Sequence, residues 1–352
     1  MVRNLYIHFP FCRRKCAYCA LHSRAGRPAA ERDAYARAIA RDIERLAREG
    51  EYVGAGSLAT VYLGGGSPAL ADLSPVFAAL APLLAADAEF TVELHPLDAT
   101  AETVGCLADR GVNRVSMGVE ALDDEILADM GRMYTLAEAR AAFARVKAEI
   151  PNAGIDLIAG YPDPRGAYRP LAPEIAALKD WGLAHASVYS LILEEHTILA
   201  KRCERGLALP GDDETLDDIR AAADALASLG LERYEISNYA LKGMECRHNL
   251  ATWRGEDYLG LGEGAAGRIA LTRTLGTAEG VETTEVDPET DRKERALFRL
   301  RTREGIDTAT WPQWRKPLDA FTAEGLLEKD GFIYRLTRRG SEVCDSILAE
   351  LV

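Results

Sequence analysis

The chain has 352 residues, with 42 Lys and Arg against 55 Asp and Glu for a net charge of −13. It is too long for one minimal domain and has room for a sizeable core, while its acidic balance argues against a sequence-blind nucleic-acid binder, which needs basic surface to neutralise phosphates. Seven Cys, at 12, 16, 19, 106, 203, 246 and 344, read as reduced thiols of a cytoplasmic protein rather than a disulfide framework.

The start of the chain lacks the apolar region of a signal peptide, and no run approaches the ~20 apolar residues of a membrane span. From there, six short β-rich runs, at 5–9, 58–63, 90–94, 114–118, 155–159 and 187–193, alternate with longer amphipathic stretches such as 29–49, 68–84, 101–110 and 135–149. That alternation predicts α/β architecture with a parallel sheet, and right-handed crossovers would wind it into a partial (β/α)6 barrel. In such a fold the chemistry belongs at the C-terminal ends of the strands.

The first run delivers Cys12, Cys16 and Cys19 at that end, with three and then two residues between them. Three thiolates on one tight loop hold three irons of a [4Fe-4S] cube and leave the fourth iron open, whereas zinc usually takes four ligands from paired C-x2-C motifs. A zinc knuckle is the alternative reading. The second run ends in Gly64, Gly65, Gly66, Ser67 and Pro68, where glycines permit close approach of the backbone to a ligand, or simply a turn. The next runs end near Glu93, Glu120 and Asp156. Carboxylates inside apolar runs are costly unless paired or hydrogen-bonded. Each alone fits a structural hydrogen bond, and together on one face they suggest a site.

Beyond 193 the pattern changes. Residues 214–229 read as a helix and 233–239 as a strand. The stretch 245–265, with His248, Asn249 and Trp253, has too little periodicity for a helix and reads as a loop. Residues 271–290, rich in Thr and Glu, read as an exposed connection. Helices at 291–301, 308–316 and 317–325 precede Asp330-Gly331, a hairpin signal between apolar runs, and a last helix covers 338–351. Helices followed by a two-stranded wing predict a winged-helix-like α+β domain, with a packing or substrate-covering role favoured over DNA binding by the acidic chain. The expected divisions are 1–200 for the partial barrel, 201–290 for an extension carrying the His248-Asn249 loop, and 291–352 for the C-terminal domain.

Taken together, Tyr6 to Cys12, the glycine run, Gly111 to Gly118, Met130-Gly131-Arg132, Ile155-Asp156, Tyr234 to Ala240, Cys246-Arg247-His248-Asn249 with Trp253, and Asp257 to Gly262 resemble the coproporphyrinogen III dehydrogenase-like family of radical SAM proteins, and within it the heme-chaperone branch. The resemblance implies a [4Fe-4S] cluster on Cys12, Cys16 and Cys19. It also implies S-adenosyl-L-methionine (SAM) contacts from Tyr6, Tyr18, Gly65, Gly66, Ser67, Glu93, Glu120, Arg132 and Asp156, with Arg132 donating charge-assisted bonds to the SAM carboxylate. Heme, or a related tetrapyrrole, is implied at His248, Asn249 and Trp253, with His248 an axial iron ligand; a loop His bonded to the backbone is the plainer alternative. The implied partners are heme-receiving client proteins, through which the chain would meet a membrane, and a homodimer is left open.

Two features separate the chaperone branch from the dehydrogenases: a further Cys two residues after the third ligand, where this chain has Leu21, and a longer N-terminal segment. Both favour the chaperone, and a dehydrogenase acting on a tetrapyrrole is the alternative. The chain departs from the branch where the usual Gln is Glu120, the Asn-Pro is His95-Pro96, the glycine-motif Thr is Ser67, and the Tyr before Trp253 is Thr252.

Overall fold

The computed structural model describes residues 1–166 and 168–351. Six strands run parallel in chain order: β1 (Asn4–Phe9), β2 (Leu58–Gly65), β3 (Leu84–Leu94), β4 (Arg114–Glu120), β5 (Asn152–Ala159) and β6 (His185–Ser190). The expected runs all fall within or across these strands. Each strand alternates: Leu5, Ile7 and Phe9 of β1 are buried and pack with Ala36, Ile39 and Ile43 of helix α1 (Ala29–Glu49). Removal of that apolar surface from water, at about 25 cal/mol per Å², is the main force holding the helices to the sheet. The opposite set faces the barrel lumen and is polar, as in Asn4, Tyr6 and His8.

Helices α2 (Ser74–Leu80), α3 (Ala101–Asp109), α4 (Asp124–Met130) and α5 (Leu136–Glu149) fill the crossovers. Thr100 caps α3, Asp123 caps α4, and Thr135 with Glu138 forms a capping box on α5. These side-chain acceptors satisfy amide donors that a helix start leaves without partners.

Beyond β6 the structure is more ordered than the composition suggests. Helix α6 spans Asp212–Ser228. The strand expected over 233–239 is instead two short pieces, β7 (Glu232–Arg233) and β8 (Asn238–Ala240), paired antiparallel, with β8 also antiparallel to β6. The stretch expected to be a loop holds helix α7 (Arg247–Trp253) and strand β9 (Tyr258–Leu261). Strand β9 pairs parallel with β1 on the side away from β2, so the strand that leads into the cysteine loop is central rather than an edge. Then β10 (Ala266–Ile269), β11 (Thr272–Thr277) and β12 (Gly280–Glu285) follow antiparallel, turning the expected connection into an exposed hairpin. Among the described residues the sheet has twelve strands in the order β12-β11-β10-β9-β1-β2-β3-β4-β5-β6-β8-β7.

The C-terminal unit has its own core, with Leu300, Ile306, Leu318, Tyr334 and Ile347 among its buried residues. Its first helix, α8, spans Pro288–Leu300. The stretch 308–316 holds a short 3-10 turn at Pro312–Trp314 and the first two residues of the helix Arg315–Ala323, which answers the helix expected at 317–325, while the hairpin Leu327–Asp330 and Ile333–Leu336 forms as expected. The last helix divides into Arg338–Glu342 and Cys344–Leu351.

Candidate functional site

The C-terminal ends of the six parallel strands surround a cavity of about 770 Å³, within the range of small-molecule sites. Ten residues expected from the sequence line it: Cys12, Cys16 and Cys19, Tyr18, Gly65 and Gly66, and Glu93, Glu120, Arg132 and Asp156. They come from six separate segments, as expected of a site on parallel strands.

The cysteine loop is fastened on several sides. Phe11 and Cys12 pair with Arg24 and Ala25 in a two-residue ladder, and the amide of Ala17 donates to the Met130 carbonyl at 2.8 Å. Lys15 Nζ donates to the Leu21 carbonyl and to Ser23, each at 2.8 Å. Arg13 pairs with the buried Asp98, which also accepts from Ser67. Ser67, expected to touch SAM, is therefore engaged in anchoring the loop. Cys16 Sγ lies 3.4 Å from Arg132 Nη1.

Burial and the neighbouring thiols push Cys12 up to about 11, and burial raises Cys19, so metal binding here would release protons. Among the described residues no three His, Cys, Asp or Glu side chains converge on a single-ion site. The three thiols share one cavity wall, and a Cβ on Gly66 would stand 2.8 Å from Cys12 Sγ. Three thiols on one wall supply the thiolate donors that an iron–sulfur cluster takes.

The opposite wall is acidic. Glu93 accepts from the Tyr62 hydroxyl and from the Gly65 amide, both at 2.9 Å, and burial followed by the Asp156 charge raises it to about 7. Asp156 accepts from Ser116 at 2.9 Å and is raised by burial. Glu120 sits at φ 71, in the left-handed region uncommon for a side chain, where the β4–β5 register shifts. Such a bulge re-aims a residue at about 1–3 kcal/mol of strain; here it turns Glu120 toward Arg132, 3.5 Å away. Burial raises Glu120 to about 7 against the pull of Arg132. Arg132 also donates to the Gly118 carbonyl, and a Cβ on Gly118 would crowd both side chains. One guanidinium beside three carboxylates suits a ligand with cationic, hydroxyl and carboxylate groups.

The remaining expected residues lie elsewhere. Tyr6 does not line the cavity; its hydroxyl meets His8 Nδ1 at 2.9 Å, and its ring packs against Tyr62 and His248. His248 is buried on the lumen floor, with Nδ1 2.8 Å from Thr60 Oγ1, and burial lowers it to about 4. As placed, its ring offers a macrocycle no approach. Glu89 of β3 accepts the amides of Arg247 and His248 at 2.8 and 3.0 Å, so α7 is fixed to the barrel floor by its first turn. Asn249 and Trp253, on the same helix, line a separate pocket of about 230 Å³ with Glu235, Asn238 and Tyr189. Tyr189 also lines the larger cavity, so it stands between the two.

Sequence reasoning passed over Tyr62, Glu89, Arg114, Ser116 and Tyr189. The signal was present: Glu89, Thr91 and Glu93 alternate with Phe90, Val92 and Leu94, marking a polar lumen face at period two.

Residues 6–165 match the model of the radical SAM superfamily, and residues 286–343 that of the HemN C-terminal domain. Heme chaperone HemW of Lactococcus lactis is 36% identical over 279 residues, covering 77% of this chain and 70% of that protein. The Mycobacterium tuberculosis heme chaperone HemW is 31% identical, covering 99% of this chain and 94% of its own length.

The chain belongs to the radical SAM family of heme chaperone HemW.

The solved structure of Escherichia coli coproporphyrinogen III oxidase HemN, described as a radical SAM enzyme, superposes with a TM-score of 0.82 at 20% identity, over 99% of this chain and 90% of that one. That likeness establishes the shared fold, a partial α/β barrel with a C-terminal α+β domain. Membership in the HemW family implies a [4Fe-4S] cluster and SAM as cofactors, and the cavity holds donors suited to both. The position at which the sequence reading places an additional dehydrogenase Cys is Leu21, 57% exposed at the cavity wall.

Proposed function

We propose that this protein binds heme and passes it to heme-dependent client proteins, using a radical SAM scaffold that carries a [4Fe-4S] cluster on Cys12, Cys16 and Cys19. The observation that carries the reading is the cavity itself, which gathers the three cysteines, the glycine run and the Glu93, Glu120, Arg132 and Asp156 set in a HemW-family chain. A cluster held by Cys12, Cys16 and Cys19 would supply single electrons for chemistry on SAM bound beside it.

In this reading Gly65 and Gly66 let the backbone approach the ligand, Glu93 and Asp156 accept its hydroxyl or amino donors, and Arg132 meets its carboxylate. Tyr18 covers one side and Ser67 acts through Asp98. Heme rests against the face formed by Asn249 and Trp253, while His248 supports that face from inside the barrel. Residues 1–200 bind the cofactors, 201–290 present the α7 face, and 291–352 cover it. Among the described residues no helix is long and apolar enough to cross a membrane, so membrane-bound clients would be reached from the membrane surface.

The test is anaerobic incubation of cluster-reconstituted protein with SAM, a reductant, and coproporphyrinogen III or heme in parallel, followed by mass spectrometry. Unchanged tetrapyrroles with heme retained on the protein are expected. A coproporphyrinogen product lighter by two carboxyl groups would instead make the chain a dehydrogenase. Zinc without sulfide in the reconstituted protein would remove the cluster assignment.

A further inference from the structure

Two loops meet at the cofactor cavity, the cysteine loop after β1 and the glycine run that ends β2, and a ligand reaching both needs their spacing fixed. Backbone contacts bring them together. The amides of Gly66 and Ser67 donate to the carbonyls of Phe9 and Phe11 at 2.8 and 2.7 Å, and a Cβ on Gly66 would stand 2.8 Å from Cys12 Sγ. A side chain behind the cavity then grips both loops.

That side chain is Asp98, which closes the 3-10 turn Pro96–Asp98 after β3 and is 4% exposed. The turn is braced by its own backbone: the Asp98 amide donates to the His95 carbonyl at 2.8 Å, and the Asp98 carbonyl accepts from the Thr100 amide at 2.9 Å. The two carboxylate oxygens have different partners. Oδ1 accepts from Arg13 through both Nε, at 2.9 Å, and Nη2, while Oδ2 accepts from the Ser67 hydroxyl. Arg13 directly follows Cys12, and Ser67 directly follows Gly66. One buried carboxylate therefore ties the cysteine loop to the glycine run beside their closest contact, through bonds of the charge-assisted kind.

Glu93 also holds the glycine run, accepting from the Gly65 amide at 2.9 Å, but it lines the cavity, where a ligand engages it. Asp98 is not among the lining residues. Its bonds to Arg13 and Ser67 are the grip that a ligand leaves in place.

We propose that Asp98 is a positioning residue that couples the two halves of the cofactor site: holding Arg13 on one oxygen and Ser67 on the other, it fixes the Gly65-Gly66 backbone against Cys12 and so links iron retention to the binding of a SAM-type ligand. This rests on the reading of the cavity as a cluster and SAM site. Asp98 acts on both groups through Arg13 and Ser67.

The experiment crosses two readouts on the cluster-reconstituted full chain, the rate of iron loss to a chelator and SAM affinity by equilibrium dialysis. It compares wild type, Arg13→Gln, Ser67→Ala, Asp98→Ala, and Asp98→Ala combined with each of the other two. Arg13→Gln, on the cysteine loop, weakens SAM binding about tenfold, and Ser67→Ala, on the glycine run, speeds iron loss by about the same factor. Asp98→Ala does both, and adding either other substitution to it moves neither readout further. Singles that each change only their own loop's readout overturn the proposal, as do single effects that persist in full beside Asp98→Ala. A lower melting temperature with both readouts at wild type shows a structural role alone and overturns it too. Should Asp98→Ala fail to fold, the crossed effects of the two singles decide by their presence or absence. A wild type that retains no iron or binds no SAM overturns the reading of the cavity itself, an outcome distinct from all of these.

Discussion

His248 and Thr60 meet at 2.8 Å inside the barrel, the ring nitrogen of one against the hydroxyl of the other. Thr60 in turn donates to Asn4 at 2.9 Å, so the histidine of the heme-linked motif belongs to a buried polar chain joining α7, β2 and β1. His248→Ala is therefore expected to leave the heme absorption spectrum and affinity close to wild type while lowering stability by about 2–4 kcal/mol, through the cavity and the unpaired hydroxyl it leaves. Heme titration beside urea denaturation checks both. Loss of heme with unchanged stability would restore the axial-ligand role.

The same residue carries a pH signature. Its folded-state value is lowered to about 4, against about 6.5 in an unfolded chain. The unfolded state thus binds more protons between these values, and stability falls as pH drops from about 6.5 toward 4, by up to about 1.4 kcal/mol per pH unit. His248→Gln should flatten that part of the denaturation profile.

Glu93 behaves in the opposite sense. Its value is raised to about 7, so the folded ligand-free protein binds more protons than the unfolded chain between about 4.5 and 7, and this group's contribution is lost as pH rises through that window. Glu93→Gln should melt higher relative to wild type at pH 8 than at pH 5, yet bind SAM at least tenfold more weakly at pH 8. Thermal scans and dialysis at the two pH values test the pair of effects.

Gly66→Ala is expected to lower iron and sulfide loading by more than half, because the new methyl group would collide with the Phe11 carbonyl and Cys12 Sγ. Gly105→Ala is the control: it lies in α3 with nothing within 4 Å of the added carbon, and should load normally while gaining about 0.5–1 kcal/mol of stability. Equal loading in both variants would contradict the packing argument.

The parts legible in the sequence were those written locally. The six strands showed in their apolar runs, the cysteine loop in its spacing, and Glu93, Glu120 and Asp156 in their cost as carboxylates at strand ends. The parts that were not legible depend on distant partners. Helix α7 is short and has little periodicity, and the acceptor for its first amides is Glu89, 158 residues earlier for Arg247. The side chains of β12 are exposed on both faces, so no alternation marked it. His248 looked available because nothing near it in the chain reveals Thr60, Tyr6 or Tyr62 around its ring.

The pairing of β9 with β1 sets the order in which the molecule can be completed. Asn4 bonds the carbonyl of Asp257, 253 residues further on, so the strand leading to the three cysteines emerges early during synthesis but gains its second neighbour only when most of the chain has been made. Until then its free edge is open to mispairing. A nascent chain arrested before β9 would offer the thiols on a strand paired on one side only, against β2.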